Sequence, residues 1–160
     1  NPCPCGYHGD PNHQCTCSTN AIKRYIGRIS GPLMDRIDIH IEVPAVKYKD
    51  LESEGESATS SRDMRALVDE ARTLQLDRFK NDKGIFANSH MTSRLIRKHC
   101  HLDDPAKALL KRAITALGFS ARAYDRVLKL GRTIADLDRS EEIKSHHIAE
   151  AIQYRTLDRD

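Results

Sequence analysis

Hydrophobic positions in this chain follow two different periods. Between Ile37 and Val43 they alternate strictly, with Ile37, Ile39, Ile41 and Val43 on one face and Asp38, His40 and Glu42 on the other, which predicts one strand ended by Pro44. A lone strand cannot satisfy its own ladder, so its sheet is expected outside this chain or in a neighbouring copy. Beyond residue 61 the period lengthens to that of a helix. Met64, Leu67, Val68, Ala71 and Leu74 predict a first inward face, Gly84 interrupts it, and a shorter helix follows over Ser93 to His99. Asp104 is expected to cap the next helix, with Pro105 at its first position, Ala106, Leu109, Leu110, Ala113, Ile114 and Leu117 inward, and Gly118 as its stop. Ser120 should cap a helix to about Asp138 that turns Val127, Leu128, Ile134 and Ala135 inward, and Ser145 a last one bearing Ile148, Ala151 and Ile152. Upstream of the strand, Thr19 to Arg28 predicts a short helix capped by Ser18 or Thr19, with Ile22, Tyr25 and Ile26 on one face and Ser30-Gly31-Pro32 as its end.

The fold class expected is therefore mainly α. Residues 1–46 hold a cysteine loop, the short helix and the strand; residues 47–61, polar, acidic and rich in serine, read as a linker; residues 62–160 read as a helical bundle. Composition agrees. With 160 residues, 39% of them hydrophobic, no Trp and 31% charged, the chain suits one ordinary domain or a small module joined to a larger one. No apolar run approaches the ~18–20 residues that span a bilayer, so no membrane partner is expected. The chain begins at Asn and shows no basic segment followed by an apolar one, so it is expected to be a piece of a longer protein.

Charge changes the picture only when it is divided along the chain. Between Gly84 and Ala135 ten cations (Arg94, Arg97, Lys98, Lys107, Lys111, Arg112, Arg122, Arg126, Lys129, Arg132) face three acids, so that region carries +7 and the rest −4. The excess admits an anionic partner, nucleic acid or nucleotide phosphate; the alternative is cations scattered over solvated helix faces.

Four of the five cysteines fall in the first seventeen residues. Cys3, Cys5, Cys15 and Cys17 form C-x-C-x9-C-x-C, and Gly6, Gly9, Asp10-Pro11 and Asn12 between the pairs are turn formers that let the pairs meet. Four thiolates suit zinc, although structural zinc sites usually place two to four residues between paired cysteines rather than one, which leaves His8 and His13 as further ligand candidates. Two disulfides or four unliganded thiols are the other readings; a reducing compartment disfavours the first. Cys100, alone in a helical context, reads as a small buried hydrophobe.

The run RISGPLMDRIDIHIEVP (Arg28–Pro44), preceded by NPCPCGY and a C-x-C pair, resembles the bacterial magnesium-chelatase-like AAA+ ATPases of the ComM and YifB group. GFSARAYDRVLKLGRTIADLD (Gly118–Asp138) and IAEAIQYRTLDR (Ile148–Arg159) resemble the C-terminal helical lid of the same group, in the same order. The resemblance implies a fold: residues 1–46 as the end of an AAA+ core domain, its last strand included, and residues 62–160 as the lid. It also implies roles. The Arg of the G-P-L-x-D-R stretch corresponds to the arginine finger that reaches the γ-phosphate held by a neighbouring subunit, here Arg36, and the Arg of S-A-R-A-Y to the lid's sensor 2, here Arg122. A guanidinium stays charged and offers a planar fork to phosphate oxygens, and a finger supplied in trans is worth about 10³–10⁵ in rate. Read without the family, Arg36 between Asp35 and Asp38 is a salt-bridge residue. Arg122 is then an arginine in a first helical turn, where the helix dipole disfavours a cation.

The resemblance further implies a ring-forming motor, expected as a homohexamer in the cytoplasm, that uses ATP and Mg and acts on DNA in recombination during uptake of foreign DNA. A magnesium chelatase motor subunit is the first rival, and a stand-alone zinc-and-helix binding module the second. Nowhere does the sequence hold G-x-x-x-x-G-K-[ST], and no apolar run ends in paired acids, so the isolated chain is expected to be inactive towards ATP.

Overall fold

Side-chain caps set where the helices begin. In the computed structural model, which describes residues 1–34, 36–41, 43 and 59–155, Ser18 has extended backbone and accepts the Ala21 amide to start α1 (Thr19–Ile26). One short turn, α2 (Gly31–Met34), follows. Ser60 accepts the Asp63 amide and opens α3 (Ser61–Arg78), which leads through a 3-10 turn at Asn88–His90 to α4 (Ser93–His99). The remaining helices are α5 (Asp104–Leu117), α6 (Ala121–Leu137) and α7 (Ser145–Gln153). Ser120 caps α6 through the Ala123 amide, as its position predicts. Gly118 ends α5 at φ +63°, a left-handed residue where a side chain would be strained.

Two caps shift by one residue. Asp103, not Asp104, caps α5, its carboxylate taking the Ala106 amide at 2.7 Å, because only Asp103 has the extended backbone a cap needs. Lys144, not Ser145, precedes α7, and the group that turns back on its amide is the His147 ring, at 2.9 Å through Nδ1.

The chain divides into two compact units. The first comprises Asn1–Ile37 with Ile41 and Val43; the second comprises Asp38–His40 and residues 59–155. Within the second unit α6 is the axis, packed by α7, α3, α4 and the 3-10 turn, while α5 lies on α7. Val127, Leu128, Ile134 and Ala135 of α6 are buried as expected and join Phe79, Met91, Leu95, Ile96, Leu110, Ile143, Ile148 and Ala151 in one core. Gly131 lets α7 approach, since a Cβ there would stand 3.1 Å from Ile148 Cδ1. A parallel bridge between Leu102 and Ile143 is the one β-type pairing among the described residues.

Two sequence expectations fail. The alternating segment is not a strand among the described residues: Ile37, Ile39 and Ile41 are exposed and Val43 is 81% exposed, and the His40 amide donates instead to the Tyr154 carbonyl at 2.8 Å. Among the described residues the alternation has no partner strand to pair with, so neither edge acquires a ladder. In α3, Met64, Leu67, Val68 and Leu74 are exposed and only Ala71 and Gln75 are buried, so the helix meets the described core along a strip one turn long and not along its apolar face. The linker expected at 47–61 lies mostly outside the described residues. No described helix is long and apolar enough to cross a membrane.

Candidate functional site

The first seventeen residues fold around sulfur. Gly6, at φ +87°, donates its amide to the Cys3 carbonyl and Gly9, at φ +84°, lets the Asp10 amide reach Tyr7, two reversals that need glycine. The Asp10 carboxylate then takes the amides of Asn12 and His13 and turns the chain back. The result brings Cys3, Cys5, Cys15 and Cys17 together, with all four sulfurs within 4.8 Å of one another and none in a disulfide. Cys3 lies 3.4 Å from Cys5 and 3.7 Å from Cys15, and Cys5 lies 3.6 Å from Cys15. A tetrahedron of thiolates about 2.3 Å from zinc has edges of about 3.8 Å, so these spacings fit a four-coordinate ion. Neither histidine joins the set: His13 stacks on Tyr7 and faces Asp10, and His8 is exposed.

Backbone amides complete the environment. The Tyr7 amide, the Cys3 side chain and the Thr16 amide, in that order, lower the Cys5 thiol to about 6. At Cys15 the Cys17 amide is the largest single influence and lowers the pKa, but desolvation and the neighbouring Cys5 and Cys3 sulfurs outweigh it and hold that thiol at about 12. One proton therefore leaves readily and the next reluctantly. A divalent cation among the sulfurs removes that penalty, because it turns mutual repulsion of thiolates into shared attraction. The donor set suits zinc and other borderline-soft ions.

The two arginines singled out by sequence fall in different units. Arg36 is exposed just beyond α2, with Nη1 donating to the Pro32 carbonyl at 2.9 Å. Its salt-bridge reading is half corrected, since the Asp38 carboxylate pairs with Arg126; Asp35 lies outside the described residues. Arg122 is the exposed second residue of α6, in the turn that Ser120 caps.

The basic band is less free than its count suggests. Arg132 is buried; desolvation lowers its pKa, opposed by Asp136, with which it pairs at 3.0 Å. Arg126 pairs with Asp38, Lys107 with Asp104, and Arg94 and Lys98 face Asp82. Sequence reasoning missed the buried polar lock that Arg132 joins. Asp136, 2% exposed, receives Arg132, Arg78 and the Asn88 amide, while Asn88 also takes Arg78 and gives its backbone amide to Gln75. Arg132 and Asp136, four apart on the apolar side of α6, were the available signal, because a charged pair among core positions must be satisfied there. Arg78, Arg132 and Asp136 of this lock line a cleft of about 860 Å³, as do Arg139 and Glu70, which form an ion pair, and its lining includes none of the cysteines, Arg36 or Arg122.

A second cluster, Asp138, His146 and His147, also has metal-like spacing. Its chemistry argues otherwise: His147 Nδ1 accepts the Lys144 amide, so its proton sits on Nε2 and is donated to Asp138 at 3.1 Å, which leaves no lone pair for an ion. These hydrogen bonds from His147 and His146 hold the Asp138 carboxyl below its usual range.

Comparison with known proteins places both halves. The family described as magnesium chelatase, subunit ChlI, matches residues 1–51, and the one described as magnesium chelatase, subunit ChlI C-terminal, matches residues 58–155. The chain is 36% identical over 157 residues to the competence protein ComM of Haemophilus influenzae, covering 98% of this chain. It is 35% identical over 159 residues to the uncharacterized protein YifB of Escherichia coli and 33% identical over 159 residues to that of Salmonella typhimurium, covering 99% of this chain in each case. It spans 30% of the length of each of these relatives. Matched in chain order by both profiles, and by the second over most of its length, the chain belongs to the magnesium chelatase ChlI family.

Proposed function

We propose that this chain is the C-terminal part of a ring-forming AAA+ ATPase that works as a ComM-like motor on DNA, with Arg36 as the finger offered to a neighbouring subunit and Arg122 as the lid's sensor of nucleotide. The observation that carries the reading is the continuous similarity to ComM across 98% of this chain, which spans both arginines and the cysteine cluster. The parent would bind ATP with Mg through residues this chain does not hold, assemble as a homohexamer and act in the cytoplasm, while Cys3, Cys5, Cys15 and Cys17 hold one zinc ion. The chemistry supports these assignments. Both guanidiniums are exposed, Arg36 just beyond α2 and Arg122 in the first turn of α6, and each offers a planar fork that suits phosphate oxygens.

The test uses the full-length protein. Arg36→Ala is expected to lower ATP turnover by at least about 100-fold with fold and ATP binding intact, because the contact acts on the transition state. Doping such rings with subunits that keep the finger but lack the phosphate loop should restore turnover above either parent. Loss of melting temperature with normal turnover per folded subunit, and no complementation, would return Arg36 to a structural role.

A chelatase subunit is the second reading, favoured by the descriptions of the two matched families. Turnover stimulated by DNA supports the first reading; ATP-dependent insertion of magnesium into a porphyrin supports the second.

A further inference from the structure

The cleft of about 860 Å³ draws its lining from α3, the end of α4, α6 and the turn that follows α6, all of them parts of the helical unit. Cavities of this size hold small organic molecules. Two acids serve too many cations there. Arg78 and Arg132 share Asp136, and Arg78 keeps 17% of its side chain exposed. Asp82 is faced by Arg94 and Lys98 at 3.9 Å and by His99 at 4.0 Å, none within hydrogen-bond reach. His99 registers the excess: burial, then Lys98 and Arg78, hold its pKa below the usual imidazole value, and its Nε2 has no hydrogen-bond partner among the described residues. Of the other acids in the lining, Glu70 is taken by Arg139, which leaves Asp69 and Glu141.

The backbone supplies an independent sign. Arg139 is the one non-glycine residue with positive φ among those described, at +51°, in the left-handed position just past α6 where glycine is at ease. An arginine there strains the chain, and its pair with Glu70 is exposed, of a kind that contributes little. Stability therefore does not account for it, and strain of this sort gathers at ligand sites. Arg139 and His101 also line a smaller hollow to which Lys144 adds another cation. Leu74 and the stems of Lys98 and Arg78 supply apolar surface to the cleft.

We propose that this cleft binds a small organic anion, a carboxylate or phosphate ester on an apolar body, with its oxyanion received by Lys98, Arg78 and Arg139 and its body laid against Leu74. The site does not depend on the finger and sensor reading, since neither Arg36 nor Arg122 lines it.

The experiment uses the full-length protein and the probe anilinonaphthalene sulfonate, one sulfonate on an aromatic body, read by fluorescence and located by hydrogen exchange. Bound probe is expected to slow exchange at Lys98 to His101 and at Arg139 to Glu141. Lys98→Ala and Arg139→Gly should each weaken binding about 10-fold, the scale of one hydrogen bond to a charged group. Both side chains are exposed and glycine suits the backbone at 139, so the melting temperature should stay within about 2 °C of the unaltered protein. Phenyl phosphate and benzoate should displace the probe about 10-fold better than benzyl alcohol or benzylamine, and the stronger of the two names the oxyanion. Benzyl alcohol competing as well as the anions would make the cleft an apolar pocket and overturn the proposal. Benzylamine competing better than either anion would assign the cleft to cations, with the same result. Probe binding that both variants leave unchanged, or that protects other residues and not these, also overturns it.

Discussion

The two units order their chains with different materials. In the helical unit a continuous apolar core, fourteen buried residues among those described, is built on α6 and its neighbours, and a charged lock is sunk into it. In the amino-terminal unit Cys3 is the one buried apolar residue among those described, and Ile26, Ile29 and Leu33 are exposed. Apolar burial at about 25 cal/mol per Å² can stabilise the first unit but has little area to act on in the second. Order there must come from turn chemistry and from whatever holds four sulfurs together. The same amino acid shows the contrast: Cys5 sits among amides that draw off its proton, whereas burial pushes Cys100 up to about 12 beside the Leu128 carbonyl.

Breaking the sulfur centre should produce the largest effect. Protein made in reducing conditions with zinc is expected to carry about one ion per chain by elemental analysis, and Cys3→Ser should weaken metal binding by more than 100-fold, beyond the ~10–100-fold typical of losing a supporting residue. Residues 1–17 should then lose exchange protection while the helices keep theirs. Zero metal in a protein whose loop nevertheless stays protected would refute a metal centre. Alkylation sharpens the same contrast. In metal-stripped protein at pH 7 Cys5 should react first and Cys100 only on unfolding. The sign for Cys100 follows from its raised pKa: its contribution to stability is complete below the ordinary thiol value of 9.0 and is lost as pH climbs towards 12.

The helical unit should break at its charge lock before it breaks at its surface. Asp136→Ala leaves Arg132 buried without its carboxylate, a class of change that costs about 3–5 kcal/mol. At about 4–8 °C per kcal/mol for a domain of this size, the melting temperature should fall by more than about 10 °C, with metal content unchanged. A drop of only about 2 °C would mean that water reaches Arg132 and the lock is not sealed.

How far sequence reached follows the same division. The caps at Ser18 and Ser120, the left-handed stop at Gly118 and the inward face of α6 were all legible, because each depends on neighbours within one or two turns. The meeting of the four cysteines was legible from the turn formers between them, though not which ligands would be excluded; His13 is held away by Tyr7 and Asp10. Partners distant in sequence were not legible. Alternation at Ile37–Val43 signals a strand only if another strand lies beside it, the apolar spacing of α3 does not say how much of the helix is covered, and Asn88 bears no mark of its tie to Asp136.

The smallest effect tests a boundary on which sequence and structure differ by one residue. Asp103 and Asp104 both precede α5, and both are acidic groups at the positive end of a helix, so a dipole argument treats them alike. The cap geometry separates them: the Asp103 carboxylate takes the Ala106 amide at 2.7 Å, whereas the carboxylate of Asp104, 94% exposed, receives the Lys107 amine at 2.9 Å. Asp103→Ala should therefore cost about 1 kcal/mol, the usual loss of an aspartate cap, and lower the melting temperature by about 4–8 °C. Asp104→Ala should change it by no more than about 1 °C, since an exposed pair held by two long or solvated side chains contributes little. The reverse order would restore Asp104 as the cap and start the helix one residue later. Neither variant should alter metal content, because a cap acts within its own helix and the sulfur centre is built from a different stretch of chain.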